Sequence, residues 1–358
     1  MSNAQSLSKC GPRQTRAFIE RCAQVGLVPF VQSSPGVGKS SIMALVAEFF
    51  NLKLIDHRLS TSPPEDMSGL PFFKDGYAYF APFAELFPVE GCELPVKRRD
   101  ADGKPIEWYD GWMIFLDEFN SARKETQAAA YKLILDRMVG QHRLHENVVV
   151  TCAGNLSTDR AIVNPLSTAM QSRVVHIEMQ CVFDEWLVDV ALNEDYDHRL
   201  ISFLSQHKNL LMDFKPEHNE KTFCCPRTRE FANRLIKGRE LNDEDSKLLG
   251  GTITSGVAVS FVQYCKVFER VPKVEDIIAD PHHYEIPREL DMLWAVTGAL
   301  LSNLNKQNLD KICVYIDRLD KSFQILFYRS IMVRHPDMRH HPSYVKALVE
   351  MQRGLRAK

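Results

Sequence analysis

Ser33-Ser34-Pro35-Gly36-Val37-Gly38-Lys39-Ser40 constrains this chain more than any other stretch, because it sets a glycine-rich turn between an apolar strand and a helix. Val28-Pro29-Phe30-Val31 reads as a strand running into the turn, and Ile42, Leu45, Val46 and Phe49 recur at helical spacing over Ser40 to Phe50. Small residues let the main chain wrap a phosphate, so that successive N–H groups and the positive end of the helix face the anion. In the pattern G-x-x-x-x-G-K-[ST], the lysine, here Lys39, reaches the β- and γ-phosphates, and the hydroxyl of Ser40 is a Mg2+ ligand. Ser33 stands where that pattern begins with glycine, and a residue this small keeps the turn. The residues expected against the nucleotide are Ser34, Pro35, Gly36, Val37, Gly38, Lys39, Ser40 and Ser41.

Two more strand ends carry chemistry. Trp112-Met113-Ile114-Phe115-Leu116 is a continuous apolar run, the mark of a strand buried on both faces, and it ends in Asp117-Glu118. Asp117 would hold a metal-bound water and Glu118 would orient and polarise an attacking water, the positioning task on which phosphoryl transfer depends. A helix N-cap is the competing reading of the same acidic pair. Val148-Val149-Val150-Thr151-Cys152-Ala153-Gly154-Asn155 is a third buried strand, and Asn155 stands at the C-terminal end where ligands bind in parallel sheets. Its amide would reach the γ-phosphate or the attacking water; an ordinary Gly-Asn turn is the alternative.

Lys53-Leu54-Ile55-Asp56 and Val174 to Met179 read as further strands, and Arg123 to Met138 as a helix. Strands alternating with helices predict a mostly parallel sheet with helices on both faces. Beyond about residue 182 the segments 184–206, 226–240, 244–270, 288–303 and 309–333 all read helical, as does the short stretch Ser343 to Arg353. For 358 residues, about two domains and an extension are expected. Within the sheet domain, Phe72 to Phe80 places a Lys-Asp-Gly turn between alternating aromatics and predicts a β-hairpin. That hairpin either lines a pore and grips a client or packs one face, with Tyr77 and Tyr79 pointing one way and Phe80 the other. Residues 89–111 read as a polar, charged connection with an Asp-Gly at 102–103.

With three elements in that order, the sequence resembles the AAA+ ATPases and, within them, the MoxR-like branch, over roughly residues 15–240. Thr61-Ser62-Pro63-Pro64-Glu65-Asp66-Met67-Ser68-Gly69 is similar to the segment leading into that branch's helix-2 insert, and Ala81-Pro82-Phe83-Ala84-Glu85-Leu86 to the stretch before its DE motif. Asp117-Glu118-Phe119-Asn120-Ser121-Ala122 resembles D-E-I-N-R-A, and Gln127 to Gly140 the following helix and the start of the pre-sensor hairpin. Pro165 to Arg173 resembles the segment ending in an arginine finger, which implies that Arg173 reaches the γ-phosphate bound to a neighbouring subunit. Cys225-Pro226-Arg227-Thr228-Arg229 resembles sensor 2, a Pro-Arg opening a lid helix, which implies that Arg227 senses the γ-phosphate within its own chain. Arg160 and Arg229 are the fallback positions. The chain departs from the family at Ser33 and in the length of 89–111, and beyond about 245 it matches no family motif residue by residue.

The resemblance implies a P-loop NTPase αβα sandwich of AAA+ type over residues 1–180, a helical lid over 181–303 and a helical extension over 304–358. It implies Mg2+-dependent ATP hydrolysis in a homo-oligomeric, hexameric ring that remodels or assembles a protein client or a separate partner chain. Composition bounds the partner. With 44 Lys and Arg against 46 Asp and Glu, no global positive field invites nucleic acid. Neither a span of 18 apolar residues nor a secretory h-region is present, which argues against a membrane protein. Nine scattered cysteines without a C-x-x-C fit reduced thiols in the cytoplasm. His282-His283 and His340-His341 lack companions at ligand spacing and read as surface histidines. The competing functions are a nucleotide-gated binding module with little hydrolysis, a nucleic-acid motor or loader, and a small-molecule phosphotransferase.

Overall fold

The computed structural model describes residues 7–159, 163–268 and 270–356. The chain divides into two compact units, one running to Cys181 with Lys215–Glu217, the other holding Val182–Phe214 and the residues from His218 onward.

The first unit contains, in chain order, β1 (Lys9–Cys10), α1 (Pro12–Gln24), β2 (Val28–Ser33), α2 (Lys39–Phe49) and β3 (Leu52–Arg58). Next come α3 (Pro64–Ser68), β4 (Leu70–Lys74), β5 (Tyr77–Ala81), β6 (Val96–Arg99), β7 (Pro105–Trp108) and β8 (Gly111–Asp117). The unit closes with α4 (Lys124–Asp136), β9 (Met138–Val139), β10 (His142–Arg143), β11 (Val148–Asn155), α5 (Thr168–Gln171) and β12 (Val174–Met179).

Six strands make one sheet in the order β1-β12-β2-β11-β8-β3, every pairing parallel. Alternation along the strands explains why both faces are covered. Trp112, Ile114 and Leu116 of β8 join Phe30, Val148, Val150 and Cys152 in one cluster with Ala130, Leu133 and Ile134 of α4. Met113 and Phe115 point to the other face, where α2 buries Ile42, Met43 and Val46 and packs on β3, β8 and β11. All seven residues of β8 are therefore buried. This is the expected P-loop NTPase αβα arrangement, followed by the expected helical part. A two-residue edge strand, β1, was not predicted.

One expectation is extended and one alternative is corrected. The polar, charged 89–111 connection carries secondary structure of its own. It folds into the hairpin β6–β7, because Asp100 Oδ1 accepts the N–H groups of Asp102 and Lys104 at 3.1 and 2.8 Å while Gly103 supplies a φ of 81°. The hairpin β4–β5 has no packed face: every residue in both strands is exposed, Phe73 at 82% and Tyr77 at 69%. Phe72 and Tyr79 stack on each other across the strands, at 5.5 Å, in place of packing on a core.

The second unit contains α6 (Phe183–Trp186), α7 (His198–Gln206), α8 (Pro226–Ile236), α9 (Asp245–Ile253) and α10 (Ser255–Phe268), followed by α11 (Val274–Ala279), α12 (Leu290–Ser302), α13 (Leu309–Ile316), α14 (Lys321–Arg334) and α15 (Pro342–Arg356). Phe203 meets Phe261 edge-on at 5.3 Å, and Trp294 meets Phe323 at 4.4 Å, so aromatic pairs cement this core. Three stretches expected as single helices are interrupted. A π-type turn over Leu187–Ala191 and a left-handed Asp195 separate α6 from α7, and a left-handed Thr254 (φ 70°) separates α9 from α10. Residues 317–320 separate α13 from α14.

Candidate functional site

The phosphate loop leaves the end of β2 and enters α2. Gly36 (φ 77°) and Gly38 (φ 107°) take conformations that side chains resist, and a Cβ on Gly38 would meet nothing within 4 Å. Backbone shape, not crowding, demands glycine there. Gly38 caps α2, so the unpaired N–H groups of its first turn, and Lys39 and Ser40 with them, open onto the loop. Ser33 is fully buried and does more than keep the turn small. Its carbonyl and its Oγ accept from Lys39 Nζ at 3.1 and 3.2 Å, and its hydroxyl donates to Ser34 O at 2.9 Å.

Asn155 ends β11 directly beside Ser33, its register partner on β2. Its Oδ1 lies 3.4 Å from Lys39 Nζ, so the lysine spans two strand ends. The residue that holds Asn155 is Asn120, to which the sequence reading assigned no role. Asn120 Nδ2 donates to Asn155 O at 2.7 Å, and Asn120 Oδ1 accepts from Asn155 N at 3.0 Å. A Cβ on Gly154 would stand 2.2 Å from that Oδ1, which is why this position is glycine. Asn120 is buried. Asn120→Ala is expected to lower stability by about 1–3 kcal/mol by stranding the Asn155 main-chain groups. A urea midpoint equal to that of the wild type would contradict this role.

Asp117 ends β8 almost wholly buried, its Oδ1 accepting from Glu118 N at 2.8 Å. Glu118 follows in a left-handed conformation, φ 54°, uncommon away from glycine and characteristic of functional turns. Ser60 Oγ donates to Glu118 Oε2, and Arg58 Nε lies 3.7 Å from Oε1. Strand register brings these groups together: Arg58 at the end of β3 pairs with Asp117, and Ser60 follows on a 3₁₀ turn. Neither residue has a motif signature. The carboxylates crowd one another, because burial first, then Asp117 and Glu118, push Asp56 above the ordinary carboxylate range against the opposing pull of Arg58.

His57, beside Arg58 on β3, is buried with Nε2 2.6 Å from Ser62 Oγ and, among the described residues, no hydrogen-bond partner on Nδ1. Burial lowers its pKa below the ordinary 6.5, against the weaker attraction of Asp66. A base depressed in the folded state takes its proton more readily when unfolded. Stability is therefore expected to fall as pH drops from about 6.5, where the unfolded chain begins to bind the proton. His57→Gln should shallow that fall between pH 7.5 and 5.5 without abolishing it, since His198 and His335 are also depressed by burial. Identical urea midpoints against pH in the two proteins would count against the assignment.

Arg173 is exposed and lies at the opposite edge of the sheet. It immediately precedes β12, whose Val174 pairs with Val28 at the start of β2, whereas the loop leaves after Ser33, roughly 17 Å further along the strand. Arg173 therefore does not reach the phosphate loop of its own chain. Arg227 occupies the first turn of α8 in the second unit, behind Pro226, and is exposed. Arg229 is fully buried and donates Nε and Nη2 to Leu210 O, which gives it a structural task in place of the fallback role. Arg160 lies outside the described residues. A cavity of about 490 Å³ lined by Leu27, Val28, Phe50, Leu52, Asp110 and Arg137 opens at the strand-start edge and contains none of the loop or carboxylate residues.

None of the nine cysteines takes part in a disulfide; Cys92 and Cys181 are half-buried and the others buried. Among the described residues no three His, Cys, Asp or Glu side chains cluster as a metal site, and no helix is long and apolar enough to cross a membrane. No protein-family model and no curated protein matches the sequence. Among solved structures, NtrX of Brucella abortus is similar at 13% identity and a TM-score of 0.35, over 97% of this chain and 69% of that one. The same protein in complex with ADP matches at 13% and 0.33, over 99% and 69%. The Holliday junction branch migration motor RuvB of Thermotoga maritima matches at 14% and 0.35, over 81% and 86%. Likeness at this level carries no functional argument, and the fold rests on the chain's own sheet order and loop.

Proposed function

We propose that this chain is a Mg2+-dependent ATPase of the AAA+ class and MoxR-like branch, working as a homo-oligomeric ring, hexameric by family expectation, on a protein client or a separate partner chain. The observation that carries the reading is convergence at one sheet edge. The glycine-rich loop, the Asp117-Glu118 pair and Asn155 end three adjacent parallel strands, β2, β11 and β8, and Lys39 already bridges the first two.

The residue roles follow from chemistry. Ser34 to Ser41 wrap the phosphates, every residue but Pro35 offering a main-chain N–H group, and Lys39 neutralises the β- and γ-oxygens. Ser40 and Asp117 would hold the metal; two hard oxygen donors suit an ion that keeps most of its water. A Mg2+ ion held there would supply positive charge against the charge that develops in phosphoryl transfer. Glu118 polarises the attacking water and Asn155 orients it or the γ-phosphate. Arg173, too far from its own loop, serves the site of a neighbouring subunit, and Arg227 senses the nucleotide from the lid.

A nucleotide-gated module with little hydrolysis is the second reading, favoured by one observation: Ser60 and Arg58 engage both oxygens of the Glu118 carboxylate. Phosphate release per subunit against protein concentration, with native mass in the same samples, separates the two. The ring ATPase predicts a rate that rises as the assembly forms with ATP. A monomer hydrolysing at a constant rate would overturn the shared site, and bound ATP that never turns over would favour the gated module. Salt-sensitive stimulation by DNA would instead make nucleic acid the client.

A further inference from the structure

Arg173 presents an unusual combination: an exposed, charged side chain, no carboxylate partner among the described residues, and yet a fixed place. Its guanidinium carbon stands 5.2 Å from the centroid of the Tyr131 ring, and Nη1 donates to Ala169 O at 2.6 Å and to Ser172 Oγ at 3.2 Å. Tyr131 is itself anchored, because its body packs against the cluster that includes Ala130, Leu133 and Ile134 on the same helix, α4. The ring is therefore a rigid platform under a long, otherwise flexible side chain.

The choice of an aromatic face has a chemical consequence. A carboxylate would orient the guanidinium by occupying its in-plane N–H donors and cancelling its charge. A ring face orients it through the cation–π attraction and leaves the charge, with the donors that Ala169 and Ser172 do not engage, for another anion. Nε and Nη2 make no hydrogen bond among the described residues, which is the arrangement a phosphate on an adjacent subunit would need.

We propose that Tyr131 is the positioning residue for Arg173: its ring fixes the plane of the guanidinium so that the free donors face the γ-phosphate held by a neighbouring copy of this chain. The inference rests on Arg173 acting at the neighbour's nucleotide, and it adds the group that orients it. Tyr131→Leu keeps apolar packing on α4 and removes the ring face; Tyr131→Phe keeps the face and removes only the hydroxyl.

The test measures kcat, KM for ATP and native mass for the full-length wild type, Tyr131→Leu, Tyr131→Phe and Arg173→Ala. Tyr131→Leu is expected to lower kcat about twofold to fivefold, the size of an exposed cation–π contact, with KM and assembly mass unchanged. Tyr131→Phe should match the wild type. Unchanged kcat in Tyr131→Leu, or an equal loss in Tyr131→Phe, would overturn the role of the ring while Arg173→Ala still abolishes turnover. Full activity in Arg173→Ala would overturn the shared-site reading itself. Should Tyr131→Leu fail to assemble, Tyr131→Met, with a longer and more adaptable side chain, carries the same test.

Discussion

Glu118→Gln is expected to bind ATP as the wild type does and to turn it over about 10²- to 10⁴-fold more slowly, the range over which a positioned base contributes. The substitution is close to isosteric. The amide oxygen still accepts from Ser60, so the turn after β8 keeps its shape and the left-handed backbone of Glu118 has no new strain to absorb. What disappears is the carboxylate that can polarise a water. The contact with Arg58, at 3.7 Å between half-exposed groups, weakens as well, but a surface pair of that kind contributes little to stability. Nucleotide titration and phosphate release on the same preparation separate binding from turnover. Undiminished turnover in Glu118→Gln would remove this residue from the chemistry and leave the loop as a binding element alone.

Arg173→Ala should cost more, about 10³- to 10⁵-fold in turnover, because stabilising charge on the transferring phosphoryl group is the larger effect. Nucleotide binding should be spared, for a reason written in the strand register. Arg173 sits at the edge where β12 and β2 begin, and the loop sits where β2 ends. Removing an exposed side chain at that distance leaves Lys39, Ser33 and Asn155 as they are. A weakened affinity for ATP with normal turnover of the bound nucleotide would be the opposite pattern and would make Arg173 a structural residue.

The parts of the site that were legible in the sequence are those whose chemistry needs a contiguous run. Phosphate wrapping requires small residues and a lysine in one short turn, and a strand buried on both faces announces itself as the unbroken run Trp112 to Leu116. The same logic found β11. Illegible were groups that meet only through pairing. Ser60 and Arg58 reach Glu118 because β3 lies beside β8 in one register, and no spacing between residues 60 and 118 reveals it. Asn120 belongs to a recognisable motif, yet its work is the reciprocal pair of hydrogen bonds to the Asn155 backbone. Breaks in the helical unit were missed for a related reason. Thr254 and Asp195 turn the chain with positive φ, a task usually signalled by glycine. The hairpin β4–β5 was placed correctly, but its two exposed faces contradict an argument from alternation, which presumes that one face finds a core.

The measurement that bears most directly on the shared site uses two variants that are each expected to be inactive. Lys39→Ala loses its own phosphate loop and keeps Arg173; Arg173→Ala keeps its loop and offers nothing to a neighbour. Mixed in equal amounts and allowed to assemble, they should regain about one quarter of wild-type turnover, the share of head-to-tail junctions in a random ring that join an intact loop to an intact arginine. A mixture that forms mixed assemblies by native mass yet stays as inactive as its components would contradict a site built from two subunits.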